Sequence, residues 1–309
     1  MGKHLYVIHA DPHANAEAVK AVFEHMDQHI NARYTLVCLG DYTGYGPFPN
    51  EVIQAYRQRT DVVKHLISGN HDHVSSFSEH TEFYNPFALT MIFWNRNVLS
   101  QDNKDWLSCL PKKMSVDDRL KFVHGAPESP ESYIMNHREA MEQRAFLSEP
   151  NRTKLVFFGH SHKRSLYHEQ DLERYDPDKG KQEYNVSEEE IFFINPGSIG
   201  QRRDGIRTAQ ECIGFASYGM LELDDNSNGG AKFTFVNVPY STTRMKQRYH
   251  EISGALSDII ESDPILQADF VAFYEALQAE KKHVPSQDKW IPTGWEIGEK
   301  FLRRIYRGK

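Results

Sequence analysis

The chain has 309 residues, of which 39% are apolar and 26% charged, with a formal net charge of −7. That length and apolar share support a sizeable core and exclude a disordered chain, while the acidic balance excludes a mainly electrostatic grip on long nucleic acid. The three cysteines, Cys38, Cys109 and Cys212, lie far apart in no metal-ligand spacing, and no apolar run is long enough to cross a membrane or to form a secretory core. A cytoplasmic protein without membrane or long nucleic-acid partners is expected.

In chain order, Leu5 to Ile8 reads as a strand and Asn15 to His29 as a helix capped by Asn15, with Glu17 in its first turn. Leu36 to Leu39 reads as a strand, Asn50 to Arg59 as a helix capped by Asn50, and Leu66 to Ile67 as a strand end. This alternation predicts a layered α/β fold. From Phe83 to Leu110 aromatic and apolar residues at helical spacing predict a core-facing helical pair. Phe122 and Val123 end another strand, and His137 to Leu147 reads as helix. Strands follow at Lys154 to Phe158, Ser165 to Glu169, Ile191 to Ile194, Gly214 to Leu223 and Lys232 to Val238, expected to build a second sheet. Asp171 to Glu190 is polar enough for a solvated hairpin or loop. Beyond Ser241 the pattern is all helical. Asp263 before Pro264 starts one helix, with Leu266, Phe270, Phe273, Tyr274 and Leu277 on one face, and Thr293 with Glu296 forms a capping box for another.

Five of the apolar runs end in metal-binding residue types: Asp11 with His13, Asp41, Asn70 with His71, His124, and His160 with His162. Ligands of open α/β sheets bind beyond the carboxyl ends of the strands, so these side chains are expected together at one edge. Asp11 and His13 can turn toward one ion. The glycines of Gly44, Tyr45, Gly46 and Pro47 keep the next loop tight and leave the Asp41 carboxylate free to bridge two. Asn70 and His71 suit one ligand and one proton donor, and the spacing of His160 and His162 lets one serve each ion. Any single motif admits an ordinary turn or a structural histidine. Their joint occurrence at five strand ends points to a two-metal hydrolytic site, with an oxygen and nitrogen donor set that favours manganese, iron or zinc over a soft metal.

The order Asp-x-His, Gly-Asp, Gly-Asn-His-Asp, His-Gly and Gly-His-x-His, from Leu5 to about Pro239, resembles the calcineurin-like metallophosphoesterase superfamily. Gly40 to Asn50, His124 to Pro127 and Asn195 to Gln201 are similar to its small bacterial and archaeal phosphodiesterase-like subgroup. The resemblance implies a four-layer α-β-β-α sandwich of two mixed sheets. The catalytic domain is expected over residues 1–245, with a C-terminal helical extension, 246–309, packed on it. It further implies that Asp11, His13 and His162 hold one ion, that Asn70, His124 and His160 hold the second, and that Asp41 bridges them. His71 would protonate the leaving oxygen, and Asp72 would orient His71. Tyr42, Tyr45, Arg202 and Arg203 are expected near the mouth as substrate contacts. Three positions depart from the family pattern: Ala14 stands where glycine is usual, His9 where a small residue is common, and Gly44-Tyr45 replaces the Asp-Arg pair of Ser/Thr protein phosphatases.

The expected cofactors are two divalent ions, manganese ahead of iron or zinc. The expected reaction is in-line attack of a metal-bridging hydroxide on a small phosphoester: a nucleotide, a dinucleoside polyphosphate or a phosphodiester. The alternatives are a serine/threonine or tyrosine protein phosphatase and a non-catalytic scaffold. Self-association through the C-terminal helices is also open.

Overall fold

The computed structural model describes residues 3–77, 84–147, 153–169, 183–187, 190–204, 212–224, 230–268 and 271–272. The elements run β1 (Lys3–His9), α1 (Ala16–His29), β2 (Thr35–Cys38), α2 (Pro49–Gln58), β3 (Val63–Leu66), α3 (Asn70–Phe77), α4 (Pro86–Val98) and α5 (Gln101–Ser108). Then come β4 (Lys113–Val116), β5 (Leu120–Val123), α6 (His137–Glu142), β6 (Leu155–Phe157), β7 (Ser165–His168), β8 (Glu183–Ser187), β9 (Phe192–Asn195), β10 (Ile213–Asp224), β11 (Gly230–Ser241) and α7 (Thr243–Ser262).

Side-chain alternation along the strands sorts these elements into four layers. Tyr6 and Ile8 of β1, Phe122 of β5, Phe157 of β6, Ile194 of β9 and Phe233 of β11 share one buried cluster, which fills the space between two sheets. The residues of opposite parity face outward. Val7, Leu36 and Cys38 pack with Val19, Val22 and Met26 of α1 and with Ile53 and Tyr56 of α2. Val156 and Phe193, on the other sheet, pack with Ala140 of α6. The result is the expected α-β-β-α sandwich of two mixed sheets.

The sheets are ordered β3-β2-β1-β10-β11-β8 and β4-β5-β6-β9-β7. The expectation that all the late strands form the second sheet is therefore corrected. β10 pairs antiparallel with β1 from Lys3↔Asp224 to Ile8↔Gly219, and β11 follows it into the first sheet. β8, the described part of the segment expected as a loop or hairpin, pairs with β11. The five motif-bearing strand ends consequently belong to two sheets, β1, β2 and β3 in one and β5 and β6 in the other.

Helix α1 starts as expected, with Asn15 Oδ1 accepting from the Ala18 N–H at 3.1 Å. Helix α2 does not. Pro49 takes its first turn and Phe48 the cap position. Asn50 instead ties α2 to the α4–α5 junction: its Nδ2 donates to the Val98 carbonyl at 2.7 Å and its Oδ1 accepts from the Ser100 N–H at 3.0 Å. Met245, Tyr249, Ile252 and Leu256 of α7 pack with Met91 and Trp94 of α4 and with Phe48. Asp263 Oδ1 then accepts from the N–H groups of Ile265 and Leu266, each at 3.0 Å, as a helix start there requires. The expectations for Phe270, Phe273, Tyr274, Leu277 and the Thr293–Glu296 box lie outside the described residues. No helix among the described residues is long and apolar enough to cross a membrane.

Candidate metal centre

Where the motif strands end, the backbone turns through the left-handed region. Asp11 (φ 51°), His13 (46°), Ala14 (51°), Asp41 (59°), His160 (63°) and His162 (59°) all adopt it, and among the described residues only Asp117 and Asp118 are other non-glycine examples. Such conformations cost about 1–3 kcal/mol each and persist only where the surroundings over-determine them. Here the surroundings are a zipper that continues the β1–β2 pairing beyond the strands. The His13 and Ala14 N–H groups donate to the carbonyls of Asp41 and Tyr42, both at 2.8 Å, and the Gly46 N–H donates to the His13 carbonyl at 2.7 Å. Ala14, where the family usually has glycine, is held in this way despite its Cβ.

The strain aims side chains inward. His13 Nδ1 lies 3.0 Å from the Thr43 carbonyl, which makes it the N–H and turns the Nε2 lone pair toward the site. His13 Nε2 is 2.8 Å from His162 Nε2 and 3.6 Å from Asp41 Oδ2, and His162 Nε2 is 3.9 Å from Asp11 Oδ1. On the other side His124 Nδ1 donates to the Leu39 carbonyl at 2.7 Å. This leaves His124 Nε2 2.8 Å from Asn70 Oδ1 and 3.3 Å from Asp41 Oδ2. Asn70 Nδ2 donates to the Tyr84 hydroxyl at 2.9 Å, so the amide oxygen is the atom presented inward. Two buried donor groups result, Asp11–His13–Asp41–His162 and Asp41–His124–His160, with Asp41 common to both.

Asp11 Oδ2 and Asp41 Oδ2 are buried without a hydrogen-bond partner. A buried carboxylate oxygen left in that state is costly, and a cation in front of it removes the cost. The electrostatics agree. Burial raises the Asp11 carboxyl to about 7 and lowers His13 to about 4 and His160 to about 3. His124 is the exception: burial works against its charge, but the adjacent Asp41 carboxylate outweighs that and raises it to about 9. The donor set, carboxylate, amide oxygen and imidazole without thiolate, fits divalent cations.

His71 belongs to neither donor group. Its backbone N–H donates to Asp41 Oδ1 at 2.9 Å. Its ring stands over the site against His13 (centroids 4.8 Å apart), Tyr45 (5.2 Å) and Tyr84 (5.1 Å), and its Nδ1 has no partner. Asp72 does not orient that ring, contrary to expectation. Its Oδ2 accepts from the N–H groups of Asp41 (2.8 Å) and Gly69 (3.0 Å), and its Oδ1 from the N–H (2.9 Å) and hydroxyl (3.0 Å) of Thr43. Its task is to lock the Asp41 loop onto the start of α3.

Of the four expected substrate contacts, two reach the site. Tyr45 packs on His13, His71 and His162, and its hydroxyl accepts from Arg203 Nη2 at 3.0 Å. Tyr42 is fully buried in the outer core, edge-on to Tyr56 and Trp106, and cannot touch a substrate. Arg202 is committed to Asp204 (Nε to Oδ1, 2.7 Å) and to Asn237 (3.0 Å), where it anchors the loop to β11.

Three site-shaping residues escaped the sequence reading besides Tyr84. Tyr133 stacks on His160. Asn95, fully buried on α4, accepts from the Gly44 N–H at 3.1 Å and donates to the Gly46 carbonyl at 3.0 Å. Tyr249 of α7 donates to the Tyr45 carbonyl at 2.5 Å. A polar residue on the buried face of an aromatic-rich helix was the one sequence signal for Asn95.

Two predictions follow from this clamp. Gly44 sits at φ 126°, and a Cβ there would stand 2.5 Å from His13 Nδ1 and 2.7 Å from His71 Nδ1. Gly44→Ala is expected to destabilise the protein by about 1–3 kcal/mol from backbone strain alone and to lower metal content. Wild-type melting and metal content in that variant would show that the loop can yield. Tyr249→Phe strands a buried carbonyl and is expected to cost about 1–3 kcal/mol in denaturant unfolding while metal content is kept. An unchanged unfolding midpoint would mean that α7 does not support the Tyr45 loop.

A two-sheet α/β sandwich with a buried histidine–aspartate cage at converging strand ends has the architecture of a metal-dependent phosphoesterase. Residues 6–164 match the calcineurin-like phosphoesterase family, and the chain belongs to it as a phosphoric ester hydrolase. It is 31% identical over 219 residues to an uncharacterized protein of Methanocaldococcus jannaschii, covering 69% of this chain and 83% of that protein. A metallophosphoesterase from Sphaerobacter thermophilus is 27% identical with a TM-score of 0.62, over 80% of this chain and 93% of that one. A hypothetical protein from Pyrococcus horikoshii shares the fold at 16% identity, with a TM-score of 0.59 over 83% of this chain and 96% of its own.

Proposed function

We propose that the chain hydrolyses a small phosphoester, namely a nucleotide, a dinucleoside polyphosphate or a phosphodiester, with two divalent cations held side by side about Asp41. The observation that carries this reading is the pair of buried donor groups that share the Asp41 carboxylate. Asp11, His13 and His162 would hold one cation, and Asn70, His124 and His160 the other. Cations so placed supply positive charge for phosphoryl oxygens and hydroxide at neutral pH.

The chain's own groups divide the remaining work. His71, over the site and outside both donor groups, gives its proton to the leaving oxygen. Arg203 and Tyr45 meet the phosphate charge at the mouth. The strained turns and the Asp72 lock keep the donors fixed, so that little reorganisation accompanies the reaction. Manganese is the cation favoured, ahead of iron or zinc. The division into a catalytic body, residues 1–245, and a C-terminal extension from 246 is part of this reading; the described part of the extension, in α7, packs on α4. A cytoplasmic setting agrees with three free cysteines, two of them exposed.

The test is the rate of the manganese-loaded chain on p-nitrophenyl phosphate against bis-p-nitrophenyl phosphate, with Asp41→Asn as the control for contaminating activity. A dominant diester rate supports a phosphodiester or nucleotide substrate. A dominant monoester rate moves the reading toward a phosphatase. Turnover of neither ester above the control overturns catalysis on simple esters and leaves a binding scaffold.

A further inference from the structure

The β5–α6 loop brings to the site a side chain that none of the strand-end motifs contains. Tyr133 lies nearly flat on His160, with ring centroids 3.9 Å and planes 27° apart, yet 49% of the residue is exposed. His160 Nε2 faces the Glu131 carbonyl at 3.1 Å, so one loop fixes both the imidazole and the phenol. Arg203, whose Nη2 donates to the Tyr45 hydroxyl at 3.0 Å, is close enough to Tyr133 to act on its phenol electrostatically. Arg203 thus braces Tyr45 over His13 and His71, while Tyr133 lies over His160.

A single exposed aromatic residue on a protein surface needs no explanation. Tyr133 differs from that case in three ways. Its inner face rests on a candidate metal ligand, its phenol feels the charge of the Arg203 guanidinium, and no other ring among the described residues stacks on it. A ring already seated flat on an imidazole loses little freedom when something flat is laid upon its other face, which is the requirement for a stacking platform. Beside that platform stands the positive charge of Arg203. The pairing matches a ligand that carries a planar aromatic group within a few bonds of a phosphate.

We infer that Tyr133 determines the specificity of this site, its outer face taking the base of a nucleoside phosphoester while Arg203 faces the phosphate. The inference rests on the phosphoesterase reading above and adds which esters the site selects. Stacking of a base on an aromatic side chain amounts to roughly tenfold or more in affinity.

The experiment uses the manganese-loaded full chain and pairs of esters whose leaving oxygens are chemically matched, p-nitrophenolate in one pair and a primary sugar alkoxide in the other. These are thymidine 5′-(p-nitrophenyl phosphate) against methyl p-nitrophenyl phosphate, and a nucleoside 5′-monophosphate against ribose 5-phosphate. The expected result is a kcat/KM preference of roughly tenfold or more for the base-bearing member of the hydrolysed pair. Tyr133→Leu should abolish that preference, lowering kcat/KM on the base-bearing ester more than on the base-free one, and Tyr133→Phe should keep it. Direct binding of a nucleoside phosphonate by calorimetry gives a readout that needs no turnover, and Tyr133→Leu should weaken it by a similar factor. Equal kcat/KM for both members, or a preference that survives Tyr133→Leu, overturns the inference and leaves the phosphoesterase reading intact. If no ester is turned over, that reading fails, and phosphonate binding that is absent or indifferent to Tyr133→Leu overturns the inference separately.

Discussion

Asp41→Asn is expected to leave the fold standing and the site unable to hold two cations. Asp41 is the one residue common to both donor groups. Its Oδ1 is committed to the His71 N–H, while Oδ2 makes no hydrogen bond and stands 3.3 Å from His124 Nε2 and 3.6 Å from His13 Nε2. The amide can keep the first contact through its oxygen. In place of the second it presents an N–H₂ group, which neither carries charge nor donates a lone pair to a cation. Metal analysis should fall from about two ions per chain to one or fewer, and turnover by about a hundredfold or more, as expected when a charge opposite the developing phosphoryl charge is lost. Unfolding measured in chelator separates a binding defect from a folding defect. Full two-ion occupancy in Asp41→Asn would remove the shared-carboxylate assignment.

The candidate donors were legible because each follows a short apolar run directly, and a strand fixes where its own end lies. What the sequence did not carry was phase and distant pairing. Tyr42 follows Asp41 immediately, but the left-handed turn at Asp41 sends the next side chain into the core against Tyr56 and Trp106. Arg202 and Arg203 are adjacent and chemically alike, yet one is tied to Asp204 and Asn237 and the other to Tyr45. Asp72 has the composition of a histidine partner, but four donors of the Gly69 and Asp41–Thr43 backbone and side chains occupy both of its oxygens.

The sheet assignment failed for a related reason. β10 has the same alternating pattern whichever sheet it joins, and its partner β1 is more than 200 residues away in the chain. Tyr249 likewise reaches Tyr45 across 204 residues. Periodicity reports which face of an element is buried, and it is silent on what that face is buried against. The supports of the site are for this reason less visible in sequence than the site itself.

His71→Ala is expected to keep both cations and lose most of the turnover. The alanine retains the backbone N–H that holds Asp41 Oδ1, so the shared carboxylate stays in place. What disappears is a ring that lies in neither donor group and whose Nδ1 has no protein partner. Among protein groups alone, burial holds this imidazole well below its usual range and therefore neutral. A phosphate anion beside the ring works in the opposite direction, because a nearby negative charge favours the protonated form that general-acid action requires. General-acid catalysis of this kind contributes about 10²–10⁴-fold. The loss must also depend on the leaving group. An alkyl ester, whose alkoxide is a poor leaving group, should suffer most of it, whereas a p-nitrophenyl ester departs without help and should suffer much less. Equal losses on the two esters, or a variant that has shed its metals, would show that the ring serves the geometry of the site and does not transfer the proton.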